Sequence, residues 1–394
     1  MRVLFLYFGP LRVNSAIQAF HFGEEMTAEG IEVLLCGAGD PRVVTDIGEP
    51  SFECTSYEGL RGKLRRWARD PQPTMVCAWT PRELVRKATE RATQILDAPY
   101  AVHLEDNEEH LLSSALRRPY ESLRRLPQRD LDRICGEMAI NPGRYPGFLA
   151  GAAGITVITA ELNEFNRAGR PWHVARPGVD PERLRPDLEP AVTRESLGLR
   201  PEDFVIVYHG IGHYANQHDL LSLYLAVKLL QRRGRRVKLV RLGATEFAGV
   251  DPSSFVAIAH DVPHLGDVPW REIPGYLALA DAYVQPGAPD DFNRYRLPSK
   301  LPEFLAMGRP VVLPRANIGN DLTDGEDALL LDRGDAQEIA AKIELLLDDP
   351  VLAGRLGEGA RRFAIERLSW RRNSQQLAAF YRDLIAGHKL SRAA

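Results

Sequence analysis

The stretch Arg296-Leu-Pro-Ser-Lys-Leu-Pro-Glu-Phe-Leu-Ala-Met-Gly-Arg-Pro-Val-Val312 holds a helix start, a helix and the opening of a strand within 17 residues. Pro298 and Ser299 stand where the helix begins, with Ser299 as the expected N-cap. Amides in a first helical turn have no partner inside the helix, and the dipole adds partial positive charge there, so an anion settles at such a place. Lys300 adds a whole charge. Glu303 follows three residues later and shares its face. A carboxylate there can accept from two neighbouring hydroxyls, which suits a ribose diol. Leu297, Pro298, Ser299, Lys300 and Glu303 thus form a candidate grip on a nucleoside diphosphate. The competing reading is a capping box from Ser299 to Glu303 beside a solvated helix-end lysine.

Outward from this stretch the chain alternates short apolar runs with amphipathic helices. Towards the N-terminus, Val3–Tyr7, Glu32–Leu35, Met75–Ala78, Tyr100–Leu104 and Ile155–Ile158 read as strands, and Ser15–Glu29 as a helix closed by Gly30. A proline-rich crossing, Arg176-Pro-Gly-Val-Asp-Pro181, punctuates the chain. A second series follows, with strands at Phe204–Tyr208, Val237–Leu242, Phe255–Ile258, Ala282–Gln285 and Pro310–Leu313. Its helices are Asp219–Arg233, Pro274–Ala280, Leu301–Met307, Ala336–Leu347 and Pro350–Leu368. Near-continuous apolar strands separated by helices predict parallel sheets covered on both faces. The fold class is α/β, with two doubly wound, Rossmann-like domains in tandem. Ligands of such sheets bind outside the carboxyl ends of the strands, so two domains facing each other would make a cleft.

Bulk properties narrow the function. At 394 residues the chain is too long for one ordinary core. A net charge of −3 excludes a protein that lives on a nucleic-acid backbone. Only seven of the 50 basic residues are lysines, so Lys300 is conspicuous. Four scattered cysteines (36, 54, 77, 135) form no Cys-x-x-Cys pair, which argues against a disulfide framework or zinc site and for a reducing, cytoplasmic compartment. No apolar run reaches the ~18 residues of a membrane span.

Three segments, in order, carry a resemblance. They are His264 to Pro286 with its Ala-Asp before a strand, Leu297 to Val312, and Asp324-Gly-Glu-Asp-Ala-Leu-Leu-Leu331 with Asp335 beyond. Together with Pro177-Gly-Val-Asp180 they resemble the GT-B glycosyltransferases, and among them the retaining family 4, also called glycosyl transferases group 1. The resemblance covers residue 150 onward well and the first 150 residues thinly. It implies an acceptor-binding domain over 1–178 with a C-terminal helix (about 369–394) returning to it, and a nucleotide-sugar domain over 179–368. It implies that Glu303 holds the ribose and that Gly266 and its neighbours flank the base.

Two departures stand out. Many members carry a second glutamate eight positions before the one matching Glu303, and here that position is Tyr295. Asp291, Asn293 and Arg294 are the candidates to serve the sugar or phosphate instead. The family's Arg and Lys after the first strand of this domain fall at or near His213 and His218, within His209-Gly-Ile-Gly-His-Tyr-Ala-Asn-Gln-His218. A histidine can donate to phosphate oxygen. The spacing of these histidines does not suit a metal.

In the first domain, Gly9 follows the first strand, where the family has a Gly-Gly turn. His103 matches in position the histidine near the transferred sugar, with Asp106 or Glu105 holding its ring or the acceptor hydroxyl. Asp130-Leu-Asp132 sits in a helical, arginine-rich stretch and reads as a solvated face rather than a metal-binding Asp-x-Asp. Two basic stretches, Arg61 to Arg69 and Arg117 to Arg133, could rest on anionic lipid through Leu64, Trp67 and Leu123, giving a peripheral contact at the inner membrane face. The plainer reading is a charged surface.

The resemblance implies transfer of sugar from a UDP- or GDP-sugar to an acceptor hydroxyl, with retention, without metal and with no cofactor beyond that donor. A glycan, lipid-linked or small-molecule acceptor fits, as in cell-surface glycan or glycoconjugate synthesis. The alternatives are an epimerase or phosphorylase on the same fold, or an inactive partner that binds sugar nucleotide.

Overall fold

The structure, a computed structural model, describes residues 1–12, 15–210, 212, 216–243 and 262–393, the last three by backbone alone. The expected strand Phe255–Ile258 and the candidate His213 lie outside the described residues. The chain folds as two compact units, Met1–Pro177 with Trp370–Ala394, and Gly178–Ser369.

In the first unit the strands are β1 (Arg2–Tyr7), β2 (Glu32–Gly37), β3 (Glu53–Ser56), β4 (Thr74–Trp79), β5 (Tyr100–Leu104), β6 (Gly154–Val157) and β7 (Trp172–Val174). They form one parallel sheet in the order β3-β2-β1-β4-β5-β6-β7. Every residue of β1 is buried, which only a sheet covered on both faces allows. Helix α1 (Ser15–Ala28) packs with the last helix, Trp370–Ala393, on one face, where the Tyr381 hydroxyl meets the Cys77 sulfur at 3.1 Å. Strand order reverses between β1 and β4, so their carboxyl ends bound a crevice.

Helix α2 (Tyr57–Arg69) was not legible from apolar runs because arginine dominates it. Its Leu60, Leu64 and Trp67 are buried, and the Trp67 indole donates to Glu32 at 2.8 Å. Leu123, in the short helix Tyr120–Leu123, is also fully buried. The idea that Leu64, Trp67 and Leu123 reach lipid is therefore wrong: all three serve the core, and only the arginines face outward. Among the described residues no helix is long and apolar enough to cross a membrane.

The second unit has β8 (Phe204–His209), β9 (Val237–Leu242), β10 (Ala282–Val284), β11 (Val311–Pro314) and β12 (Leu329–Leu331) in the parallel order β12-β11-β10-β8-β9. One face packs on the helices Gln217–Arg232 and Ala336–Asp348 through Leu223, Val227, Ile339 and Ile343. Asp335 caps the latter by accepting from the Glu338 amide at 2.8 Å. Strand order reverses between β8 and β10, which places His209 and Gln285 at the switch point.

Candidate functional site

The helix predicted after Pro298 runs over Lys300–Ala306. Its start differs from expectation. Ser299 stands at the cap position with helical angles, φ −56 and ψ −23, and its side chain caps nothing. A side-chain cap needs extended backbone at that residue, so neither the N-cap bond nor the capping box to Glu303 forms. Ser299 is exposed, Pro298 half-buried and Leu297 buried. The helix is seven residues long, so its dipole is a minor source of charge.

The charge comes from below. Lys300 is buried, and its Nζ donates to the Tyr208 hydroxyl at 3.0 Å and to Gln285 Oε1 at 3.3 Å. Burial lowers its pKa, and Arg296 and Arg241 push the same way, while Tyr208 opposes them. Burial would raise the Tyr208 phenol, but the ammonium beside it wins, and the pKa falls. Two charged donors and a polarised phenol are thus gathered under one piece of backbone. That backbone is Gly210, at φ +134, where an added Cβ would come within 2.8 Å of Lys300 Nζ. Its carbonyl accepts from Arg241 Nη2 at 2.8 Å, and Arg241 is fully buried. Gly243 lies against Gly210 so closely that a Cβ would meet the Gly210 carbonyl oxygen at 2.7 Å. The Gly243 amide donates to the Gly266 carbonyl at 2.7 Å, which ties Gly266 to the same floor.

Glu303 lies one turn along the helix from Lys300. His209 Nε2 stands 2.8 Å from Glu303 Oε2, yet their alignment makes no hydrogen bond, and both buried atoms remain without a hydrogen-bond partner. Arg183 is electrostatically coupled to Glu303, and Trp270 covers its guanidinium at 3.4 Å. Buried polar atoms without partners are rare, and a ligand can supply what they lack.

The residues proposed to replace the missing glutamate have other tasks. Asn293 is buried and braces the loop: its Nδ2 donates to Asp219 at 3.3 Å, its Oδ1 accepts from Arg296 at 3.1 Å, and its carbonyl accepts from Asn317 at 2.9 Å. Asp291 is exposed, and the cap of its helix is Asp290. Arg294 is exposed, with its guanidinium 5.0 Å from the buried Tyr295 ring. The arginine that reaches the Lys300 cluster is Arg296. His218 is exposed on the first turn of Gln217–Arg232.

In the first unit, Gly9 lies just past β1 against the Tyr7 ring, and its carbonyl accepts from the Ala38 amide at 2.9 Å. His103 is not at an open edge. It has no exposed surface, its Nδ1 pairs with Thr156 Oγ1 at 2.9 Å, and the Trp79 ring lies 4.1 Å away. Burial lowers its pKa to about 3, so it is neutral. His103, the expected catalytic residue, thus lies inside its own unit, and its Nε2 is buried without a hydrogen-bond partner. Asp106 is half-buried past the strand end, and the carboxylate drawn into the interior is Glu105. Asp130 pairs with Arg133 at 3.3 Å, and Asp132 accepts from Arg144 Nη2 at 2.9 Å, so the Asp-x-Asp belongs to surface ion pairs.

Sequence reading missed Arg241, Tyr208, Gln285 and Arg183. Arg241 carried a signal: in Val237-Lys-Leu-Val-Arg-Leu242 it shares the register of Val237 and Leu239, which face the core.

These two sheets, with switch-point crevices on each, define a two-domain α/β protein of the GT-B fold. Residues 203–349 match the family model described as Glycosyl transferases group 1. The chain is similar to a GDP-mannose-dependent alpha-(1-6)-phosphatidylinositol monomannoside mannosyltransferase of Mycolicibacterium smegmatis, at 28% identity over 55% of this chain and 57% of that protein. It is similar to an MMP alpha-(1->4)-mannosyltransferase of Mycolicibacterium hassiacum at 29% identity, over 57% of this chain and 51% of that protein. The chain thus spans about half the length of the curated relatives it matches. Among solved structures, Anabaena Alr3699/HepE in complex with UDP matches with a TM-score of 0.67 at 16% identity, over 96% of this chain and 99% of that one.

Proposed function

We propose that the chain transfers a glycosyl group from a UDP- or GDP-sugar to an acceptor hydroxyl, in glycan or glycoconjugate synthesis on the cytoplasmic side where nucleotide sugars are made. The second unit holds the donor nucleotide and the first the acceptor. The observation that carries this reading is the buried Lys300 ammonium beneath Gly210, one helical turn from a Glu303 carboxylate oxygen that faces His209 and makes no hydrogen bond. A diphosphate over Gly210 gains from Lys300, Arg241 and Arg296, and a ribose diol satisfies Glu303. Cations set in a dry site stabilise the charge that develops on a leaving diphosphate without reorganising. They also supply the counter-charge that a metal would otherwise bring, which supports a metal-independent reaction. Retention is proposed on the resemblance to family 4.

Nucleotide release tests this. The protein is incubated with UDP-glucose, GDP-mannose and ADP-glucose, with and without glycan and lipid-linked acceptors, and nucleotide and acceptor mass are followed. Release coupled to a glycosylated acceptor is expected. Binding without release under every pairing would overturn transfer and leave a sugar-nucleotide-binding protein. Conversion of the donor sugar with no nucleotide freed would mark an epimerase.

A further inference from the structure

Arg183 is a half-buried side chain whose place is built by the proline-rich crossing. Asp180 Oδ1 accepts from the Glu182 and Arg183 amides at 3.0 and 3.2 Å, and the Asp180 carbonyl accepts from the Leu184 amide at 2.9 Å. An aspartate that bonds to its own backbone two residues on makes a tight turn. The Val179 amide donates to the Leu368 carbonyl at 2.7 Å, and Leu184 is buried, so both ends of the turn are fixed. Arg361 Nη1 donates to the Leu184 carbonyl at 2.7 Å and to the Ala306 carbonyl at 2.5 Å. Ala306 ends the helix that carries Lys300 and Glu303. One arginine thus locks the turn of Arg183 to the helix of Glu303.

The guanidinium of Arg183 meets a segment that starts from the Gly210 floor. The Leu265 amide donates to the Arg241 carbonyl at 2.8 Å, and the Gly266 carbonyl accepts from the Gly243 amide at 2.7 Å, so the chain passes the carboxyl end of β9 there. Four residues beyond Gly266, the Trp270 carbonyl accepts from Arg183 Nη2 at 2.6 Å, and the Trp270 ring lies 3.4 Å from the guanidinium. An indole face replaces part of the hydration of a cation. It leaves the in-plane donors unmet. Arg183 Nε is buried and makes no hydrogen bond among the described residues. Burial lowers the Arg183 pKa, and Glu303 and Asp180 are the charges that oppose the fall. The unmet donor therefore lies in the field of the Glu303 carboxylate, whose Oε2 faces His209 and makes no hydrogen bond. Buried donors and acceptors that go unmet are rare. A hydroxyl answers both, since it gives its proton to a carboxylate and keeps lone pairs for an N–H.

We infer that Arg183 donates from Nε to a ribose hydroxyl whose proton Glu303 accepts, and so makes the site select ribose over deoxyribose. The inference rests on the proposed nucleotide site. The guanidinium is set by Trp270 and the Asp180 turn before the nucleotide arrives, so little side-chain freedom is lost on binding. A lysine there would bring the charge without the plane that stacks on Trp270 and without the Nε donor.

Calorimetric titration of the full chain tests this, as wild type, Arg183→Lys and Arg183→Met. The probes are UDP, 2′-deoxy-UDP, 3′-deoxy-UDP and inorganic pyrophosphate, with the guanosine forms in their place if GDP is the nucleotide that binds. In the wild type, loss of one of the two ribose hydroxyls should weaken binding at least about tenfold. Both variants should reduce that loss to about threefold or less, because Glu303 alone is left to hold the hydroxyl. Pyrophosphate affinity should stay within about twofold in all three proteins, which shows that they are folded. A wild type indifferent to both hydroxyls, a deoxy loss undiminished in the variants, or a wild-type profile in Arg183→Lys would overturn the inference while nucleotide binding stands. An equal loss for pyrophosphate would mark a structural role and overturn it too. A wild type that binds neither UDP nor GDP would overturn both the inference and the nucleotide site.

Discussion

His209 Nε2 and Glu303 Oε2 lie 2.8 Å apart across the switch point of the second sheet, and neither makes a hydrogen bond. The histidine ring is also set edge-on against Phe304 at 83°, so its position is fixed by packing. His209 therefore limits where the Glu303 carboxylate can point. Replacing His209 with Ala should free the carboxylate and weaken UDP or GDP binding about tenfold, which corresponds to roughly 1.4 kcal/mol. Calorimetric titration reads this directly, and an unchanged Kd would remove His209 from the site.

Lys300 gives a prediction in which stability and binding part company. A buried ammonium carries a desolvation penalty that an apolar side chain of similar shape does not. Lys300→Met should leave the melting temperature unchanged or higher, while UDP affinity falls at least about tenfold, the size of a lost charge-assisted bond. Uridine, which lacks the diphosphate, should bind both proteins alike. Equal losses for UDP and uridine would place Lys300 away from the phosphates.

Gly243 combines φ +97 with a Cβ position 2.7 Å from the Gly210 carbonyl oxygen, a backbone atom that cannot step aside. Gly243→Ala should cost on the order of 1–3 kcal/mol of stability. It should also displace Gly210 over Lys300, so nucleotide binding drops with it. Thermal melts with and without UDP check both effects, and a wild-type melting temperature would contradict the geometry.

His103 and Glu105 pull the pH dependence of stability in opposite directions. The His103 pKa falls from 6.5 to about 3 on folding, so its contribution is present above pH 6.5 and is lost as pH drops towards 3. The Glu105 pKa rises from 4.5 to about 7, so its contribution is present below pH 4.5 and is lost as pH climbs through 7. Between pH 4.5 and 6.5 the two offset each other. His103→Gln should expose the Glu105 trend, melting at higher temperature at pH 5 than at pH 8. A His103→Gln profile parallel to the wild type would contradict this.

The fold was legible because its evidence is local. Buried parallel strands such as Val3–Tyr7 and Phe204–Tyr208 read as apolar runs, and glycine or proline closes their helices. What escaped was either short or charged: β7 and β12 have three residues each, and α2 hides Leu60, Leu64 and Trp67 among arginines. The candidate site was legible in part. Lys300 and Glu303 are neighbours in sequence as in space, so one motif held both. Arg241 and Tyr208 come from β9 and β8 and Gln285 follows β10, and only the sheet brings them to Lys300. Arg296 and Arg294 sit two residues apart, and which of them turns inward is decided by packing on Phe292 and Asn293.

The central claim is that the second unit grips a nucleoside diphosphate between Lys300 and Glu303. Its most direct test is titration of UDP and of GDP into the wild type and Glu303→Ala. The account predicts that one of the nucleotides binds the wild type and that Glu303→Ala loses at least about tenfold in affinity for it, with an unchanged melting temperature. Equal affinity in the two proteins would contradict it.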